Sequence, residues 1–517
     1  MAHPSHPYPD HIAPDSGLHP EPAPPPPGVK LAIPPVPTPL SRLAAKDYGS
    51  GVSAKPEFGK WLLGTVIGWA AFAVVLLVVS WLFYAITWAS MWVGDRIPID
   101  WGTSQPIGNI LALILVLIMV TATLLTMADR KWSALMQDRV GPNRARLPIP
   151  GLSERPLKGI PHIAADVLKM LFKEDFLPGG AQPNKFLFNL APLLAFAPAF
   201  CLFAVVQVGP EIDFGGRRVA LQVARVDWGM LYVFALASLG VFGTALAGWT
   251  SDNKLALLGG LRASAQLVSY EVTLGLTLVG TFIAFGTLRL DSMVAQQGPV
   301  EAMLKSAIRT GSSADPTLVF GWLPGWGVLF QPLGMVLFLV AAMAEIKRPP
   351  FDAPEGESEI IGYFLEYSGL KNGLFLIAEY AEVVVISGIV TAIFLGGYHI
   401  PWFEPQLARA LGLTGLAVLQ VFAFLVKMLL IIFVQMLARW AFPRFRYDQI
   451  MRLGWKMMLP VSLLNVVISA GIWLWAGREG LAWMGIVEWA ALLFYLALSA
   501  GTKESAEPAP HAAPAAH

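Results

Sequence analysis

Ile107-Gly108-Asn109-Ile110-Leu111-Ala112-Leu113-Ile114-Leu115-Val116-Leu117-Ile118-Met119-Val120-Thr121-Ala122-Thr123-Leu124-Leu125-Thr126-Met127 carries no charged side chain and is closed by Asp129-Arg130-Lys131. About 20 such residues in a helix cross the hydrocarbon core of a bilayer, and a charged cluster at the end is what an interface anchor looks like. Comparable apolar runs occupy 61–93, 186–208, 229–249, 267–288, 327–344, 373–396, 414–440, 459–476 and 482–499, giving ten candidate spans in all. Only helices and closed barrels satisfy their backbone groups in lipid, so the expected fold class is an all-α polytopic membrane protein.

Composition agrees. Of 517 residues, 55% are hydrophobic and 14% charged, about half the charged fraction of a soluble domain. A formal net charge of +1 offers no global basic field and gives no reason to expect nucleic acid as a partner. Cys201 is the only cysteine and lies in an apolar run, so the chain cannot by itself hold an iron–sulfur cluster, a cysteine-based zinc site or an internal disulfide. Six of the eight histidines fall in the polar tails, leaving His162 and His399, which disfavours a haem-binding membrane subunit with paired intramembrane histidines.

Residues 1–55 form a Pro-rich tail with fourteen prolines in the first forty positions and neither signal-peptide nor transit-peptide patterning. The basic residues Arg130, Lys131, Arg139, Arg144, Arg146, Arg155, Lys158, Lys169 and Lys173 crowd the 128–185 connection, and Arg444, Arg446, Arg452 and Lys456 crowd 440–458. The positive-inside rule places both connections, and with ten spans both termini, in the cytoplasm. Between Ile160 and Glu174, Ile163, Val167, Met170 and Leu171 make an apolar stripe opposite Asp166, Lys169 and Lys173, the pattern of a helix lying in the membrane interface.

The densest polar constellation is 345–382, where Glu345, Asp352, Glu355, Glu357, Glu359, Glu366, Glu379 and Glu382 face only Lys347, Arg348 and Lys371. Pro349-Pro350 should end the preceding helix, and Pro354 suits the first turn of a new one. Helical spacing from Pro354 would bring Asp352, Glu355, Glu359 and Glu366 onto one face. A solvated acidic loop is the plainer alternative for the first part of this stretch. It does not account for Glu379 and Glu382, which sit inside an apolar run where an ionised carboxylate is costly unless paired, hydrated or protonated. Glu271 opens another span, and pairing with Arg262 is the structural alternative there. Arg444-Phe445-Arg446-Tyr447-Asp448 could meet lipid phosphates or an acidic partner.

In this order, Asp129-Arg130-Lys131 with Arg139 to Arg144, Leu261-Arg262-Ala263-Ser264-Ala265-Gln266 to Glu271, the Glu345–Glu382 region and Pro443-Arg444-Phe445-Arg446-Tyr447-Asp448-Gln449 resemble the H subunit of respiratory complex I, the quinone-site membrane component of the proton-pumping NADH:quinone oxidoreductase. The resemblance covers roughly 107–477. It implies eight core spans, with one extra segment and its connection before them (56–106), one extra span after them (478–500) and a tail at 501–517.

It further implies a quinone tunnel completed by the cytoplasmic loops beneath a partner's terminal iron–sulfur cluster, with quinone as substrate and no cofactor on this chain. Iron–sulfur clusters and FMN are expected on hydrophilic partner subunits, and small membrane subunits, antiporter-like subunits and lipids as further neighbours, in a bacterial inner membrane. Glu345, Asp352, Glu355, Glu357, Glu359 and Glu366 match the acidic loop at the start of a buried charge path, which Glu271, Glu379 and Glu382 continue. Asp129, Arg130, Arg139, Arg144, Asp166, Lys169 and Arg348 match the quinone-cavity surface. Asp129 departs from the family pattern, which has Glu there. The related membrane subunit of an ion-pumping hydrogenase and a stand-alone ion transporter are the competing readings.

Overall fold

The computed structural model describes residues 58–94, 96, 104–139, 141–142, 160–214, 217–299, 318–319, 323–356 and 359–501. The Pro-rich stretch 1–55, the tail beyond 501, Arg144 and Glu357 lie outside the described residues.

Each of the ten apolar runs is helical. Eight helices among the described residues are long and apolar enough to cross a membrane, and a shorter apolar helix, Pro332–Glu345, joins them. The 107–127 run becomes part of one continuous rod, Ser104–Asn109, a π-helical stretch Ile110–Met119 and Val120–Met136. The last two runs follow one another within Leu459–Gly501, interrupted at Gly477 (φ 63, ψ −151). That positive φ, which glycine adopts without a side-chain clash, lets the chain leave the helix between the two runs. Glu404–Ala441 is interrupted in the same way at Gly412 (φ 71, ψ 176), so its spanning part begins near 413.

With lipid as the solvent, hydrophobic burial cannot draw these helices together, and close approach of small residues does much of the work. Gly248 and Gly260 meet where Gly229–Thr250 crosses Lys254–Phe285; a Cβ on Gly248 would lie 2.6 Å from the Ala256 carbonyl oxygen and 3.0 Å from the Gly260 Cα. Helix Gly369–Phe394 is the most enclosed span and packs against Lys185–Cys201, Glu404–Ala441 and Val120–Met136. A helix is present at Ile160–Phe172, with the apolar side chains Val167, Leu168, Leu171 and Phe172 exposed. Met170 on it packs against Gly373, at the start of the Gly369–Phe394 helix.

The helix Phe58–Gly94 is tied to its neighbours by polar contacts: Thr87 Oγ1 donates to Asn109 Oδ1 at 2.9 Å, and Tyr84 Oη donates to the Pro210 carbonyl at 2.9 Å. Pro210 belongs to an antiparallel hairpin, Gly209–Phe214 with Arg217–Leu221, that hydropathy alone leaves as a polar connection. Asn109 Nδ2 holds its second strand through the carbonyls of Ala220 (2.8 Å) and Gln222 (2.6 Å).

Gly248→Leu should overpack the crossing with Gly260 and cost about 1–3 kcal/mol, read as a lower midpoint of thermal unfolding in detergent. Gly240→Leu on the same helix, where a Cβ meets nothing within 4 Å, is the matched control and should be neutral. Equal midpoints for the two variants would show that the crossing is not tight.

Candidate functional site

The site is built where three elements meet: the end of helix Pro332–Glu345, the 346–368 loop, and the first half of helix Gly369–Phe394. The first helix stops at Glu345, ahead of Pro349-Pro350, as the prolines require. Gln266 Nε2 pins the turn from across the bundle, donating to the carbonyls of Ala344 (2.7 Å) and Phe351 (2.8 Å). A buried loop can survive only with its backbone groups satisfied in this way.

The helix expected from Pro354 onward does not form. Residues 346–356 and 359–368 are turns and bends, with positive φ at Lys347 (62), Ile361 (69) and Gly362 (131). The physical reason is the scatter of partners. Asp352 binds Arg444 Nη2 at 2.5 Å, Glu359 binds Arg262 Nη1 at 2.7 Å, and Glu366 accepts from Asn253 Nδ2 at 2.7 Å. Arg444 follows helix Glu404–Ala441, whereas Arg262 lies on helix Lys254–Phe285 and Asn253 caps the start of that helix, more than two turns away, so the three carboxylates are drawn to separate points. Glu359 and Glu366 thus stand apart from the inner carboxylates.

The inner group surrounds Lys347, which is 5% exposed. Its Nζ lies 3.9 Å from Glu382 Oε2, and Glu379, Glu355 and Glu345 are its other charged neighbours. Burial opposes the lysine's charge, yet the surrounding carboxylates outweigh it and hold the pKa above the ordinary lysine value. Glu355 lies against Glu379 within hydrogen-bond reach; burial first, then Glu379 and Asp352, raise the Glu355 pKa well above the usual carboxylate range. Tyr363 Oη donates to Glu379 Oε1 at 3.2 Å. Asp352 is pushed up to about 6 by burial, with Arg444 acting in the opposite direction. A cavity of about 40 Å³ reaches Glu345, Lys347 and Glu382 between apolar walls that include Met230, Leu267 and Phe338, room for roughly one or two water molecules.

Beside this acidic group lies a basic one. Asp129, 5% exposed, receives Arg439 Nη1, Arg348 Nη1 (3.5 Å) and Tyr380 Oη (3.1 Å) on one carboxylate oxygen. The Arg348 guanidinium also stacks 3.8 Å over the Tyr380 ring. The other residues matched to the cavity lie further out. Arg130 pairs with Asp166 at 2.6 Å with both side chains more than a third exposed, Arg139 Nε donates to Gln137 at 2.7 Å on the surface, and Lys169 is exposed on helix Ile160–Phe172. The Arg262 pairing open to Glu271 is not formed: Arg262 goes to Glu359, and Glu271 accepts from Ser238 Oγ.

Sequence reasoning missed Arg439, Tyr380 and Gln266 as participants. Tyr380 sits between Glu379 and Glu382 in a run already singled out, and Gln266 is a buried amide in a quoted motif, so both carried a weak signal. Arg439, in the last turn of a span, carries no sequence signal that sets it apart from other basic residues at span ends. Arg444, read as facing lipid or a partner, instead faces Asp352.

The sequence model of the NADH dehydrogenase family matches residues 108–470. Among curated relatives, the NADH-quinone oxidoreductase H subunit, copy 1, of Cytophaga hutchinsonii is 39% identical over 375 residues, 72% of this chain and 98% of the relative. The corresponding H subunit, copy 1, of Geobacter metallireducens is 39% identical over 363 residues, 70% of this chain and 94% of its own length. The H subunit of Flavobacterium psychrophilum is 37% identical over 361 residues, again 70% and 94%. The helices Phe58–Gly94 and 478–501 fall outside the matched stretch, while every described charged residue of the two buried clusters falls inside it. Likeness at this level over nearly the full length of each relative, in a chain with eight membrane-length helices, makes this protein a member of the family of NADH-quinone oxidoreductase H subunits.

Proposed function

We propose that this chain forms the membrane wall of a quinone site in an NADH:quinone oxidoreductase and the first stretch of the charge path that couples quinone reduction to proton movement. The observation that carries the reading is the excess of carboxylates around Lys347: Glu345, Glu355, Glu379 and Glu382 share one buried ammonium, and Asp352 adjoins them through Glu355. Groups crowded in this way exchange protons as a set, and a proton or charge arriving at one of them changes the occupancy of the rest. The Asp129, Arg348, Arg439 and Tyr380 group supplies a fixed positive surface beside it, suited to a polar headgroup that gains negative charge on reduction.

Electrons have to come from elsewhere, since a single cysteine leaves this chain unable to ligate a cluster. Hydrophilic partners carrying FMN and iron–sulfur clusters, together with small and antiporter-like membrane subunits, are the assembly this reading requires. The names of the relatives favour it over a hydrogenase component or a lone transporter. In the membrane, the Arg130 end of helix Val120–Met136 and the turn bearing Arg444 face the cytoplasm of a bacterial cell, as do both termini. Single cysteines placed in either tail should then react with an impermeant thiol reagent only in inside-out vesicles; labelling from the periplasmic side would reverse the topology.

Glu379→Gln and Glu382→Gln preserve side-chain size and hydrogen bonding while removing the ionisable proton. In assembled complexes the double variant should lose about a hundredfold or more in quinone reduction and proton uptake, the low end for a lost proton-transfer group. Wild-type rates of both would make these carboxylates structural.

Asp352 gives a pH signature. With a pKa near 6 in the fold and about 4 in an unfolded chain, it favours the folded state most below about pH 4 and loses that contribution as pH rises through about 6. Over the same range it becomes ionised and completes its pair with Arg444. If it hands protons to the cluster, the rate of quinone reduction should carry a limb near pH 6 that vanishes in Asp352→Asn. Arg444→Gln removes the group holding the pKa down, so the limb should move to higher pH. A profile identical in all three proteins would remove Asp352 from the path.

A further inference from the structure

The helix after Gly477 lies outside the family match and carries a carboxylate, Glu488, in an apolar run that the charge path leaves unexplained. Its surroundings are specific. The span 327–344 is broken at Gln331 (φ −142, ψ 61), between the single turn Gly327–Phe330 and the helix Pro332–Glu345. A break inside an apolar segment leaves backbone groups that lipid cannot satisfy, so protein groups must meet them.

Gln331 occupies the N-cap position, but its side chain makes no capping bond. It is turned away, donating to Ser469 Oγ (2.7 Å) and accepting from Asn465 Nδ2 (2.8 Å). The cap comes from Glu488 instead: the Leu333 amide, in the first turn of the short helix, donates to Glu488 Oε2 at 3.1 Å. A carboxylate there also meets the positive end of the helix dipole. One residue on, Trp489 Nε1 donates to the Val328 carbonyl at 3.1 Å, on the other side of the break. Gly485 permits the approach, because a Cβ at that position would fall 1.6 Å from the Leu329 carbonyl oxygen.

We propose that the appended C-terminal helix clamps the broken span at Gln331, and that Glu488, by capping helix Pro332–Glu345, is a positioning residue for Glu345 and the acidic loop at that helix's far end. The short helix has Glu488 at its first turn and Glu345 at its last residue, so a shift or fraying at one end displaces the other. The link to quinone chemistry rests on the function proposed above; the clamp itself does not.

The test uses assembled complexes carrying the wild-type chain, Glu488→Gln and Glu488→Leu. Hydrogen–deuterium exchange across 327–345 reads the clamp, and KM and kcat for a short-chain quinone read its effect on the site. Glu488→Gln keeps an acceptor oxygen and should match wild type within about twofold. Glu488→Leu should exchange the Leu333 amide about tenfold faster, the size of a lost cap, and raise KM more than it lowers kcat. Wild-type exchange in Glu488→Leu overturns the clamp. Faster exchange with an unchanged KM overturns the positioning role, and a Gln variant as impaired as the Leu one shows a proton-carrying role in its place. Should the Leu variant not assemble, Trp489→Phe removes the indole N–H while keeping an aromatic ring, and wild-type exchange over 327–333 in that protein overturns the clamp equally. A wild-type complex that reduces no quinone would sink the functional reading while leaving the exchange result to stand.

Discussion

An ammonium group taken out of water costs several kcal/mol unless opposite charge and hydrogen bonds replace its hydration. Lys347 is the residue on which the centre of this protein turns in that respect. It sits on a loop between two membrane-embedded helices, and its compensation comes from both sides: Glu345 before it, Glu355 after it, and Glu379 and Glu382 from helix Gly369–Phe394. Four carboxylates exceed what one ammonium balances, and burying like charges side by side costs energy that other polar neighbours must offset. Tyr363 supplies one such contact, donating to Glu379.

The neighbouring residue carries the opposite imbalance. Arg348 turns to Asp129, where Arg439 joins it, so two guanidiniums share one carboxylate and Arg348 stacks on Tyr380. Lys347 has a positive φ of 62, and its side chain and that of Arg348 go to separate clusters, one rich in acid and one rich in base. Glu379 acts on both cations, which places it electrically between the two groups. The two groups are joined by a short stretch of backbone in the 344–352 turn, which Gln266 holds by donating to the carbonyls of Ala344 and Phe351. A buried turn needs such donors, which is why a neutral amide is buried there.

Hydropathy alone disclosed the ten helical runs, because lipid imposes length and apolarity residue by residue along the chain. The intramembrane carboxylates were legible for the same reason: Glu379 and Glu382 violate the local pattern. What the sequence hid was long-range pairing. Asp129 meets Arg439 across 310 residues and Asp352 meets Arg444 across 92, and neither partner differs from an ordinary interface anchor when read in place. The same blindness produced the helix wrongly expected after Pro354, since local spacing aligned carboxylates whose partners lie in different directions. The break at Gln331 was hidden too, because the residues that make it tolerable come from 465–489.

The two helices outside the family match attach in physically different ways. Phe58–Gly94 adds one contact between side chains, Thr87 to Asn109, and one donor, Tyr84, to the Pro210 carbonyl where the hairpin register is irregular. The helix beyond Gly477 supplies an acceptor to the Leu333 amide and a donor to the Val328 carbonyl, both backbone groups at a break in an apolar span. Removing the first would leave the Pro210 carbonyl of the hairpin without this donor and expose apolar surface to lipid. Removing the second leaves peptide groups unpaired where no water is available, at a cost of several kcal/mol for each group. The short helix that ends in Glu345 would then have to re-form its first turn, and the acidic cluster would feel the change through fourteen residues of rigid helix.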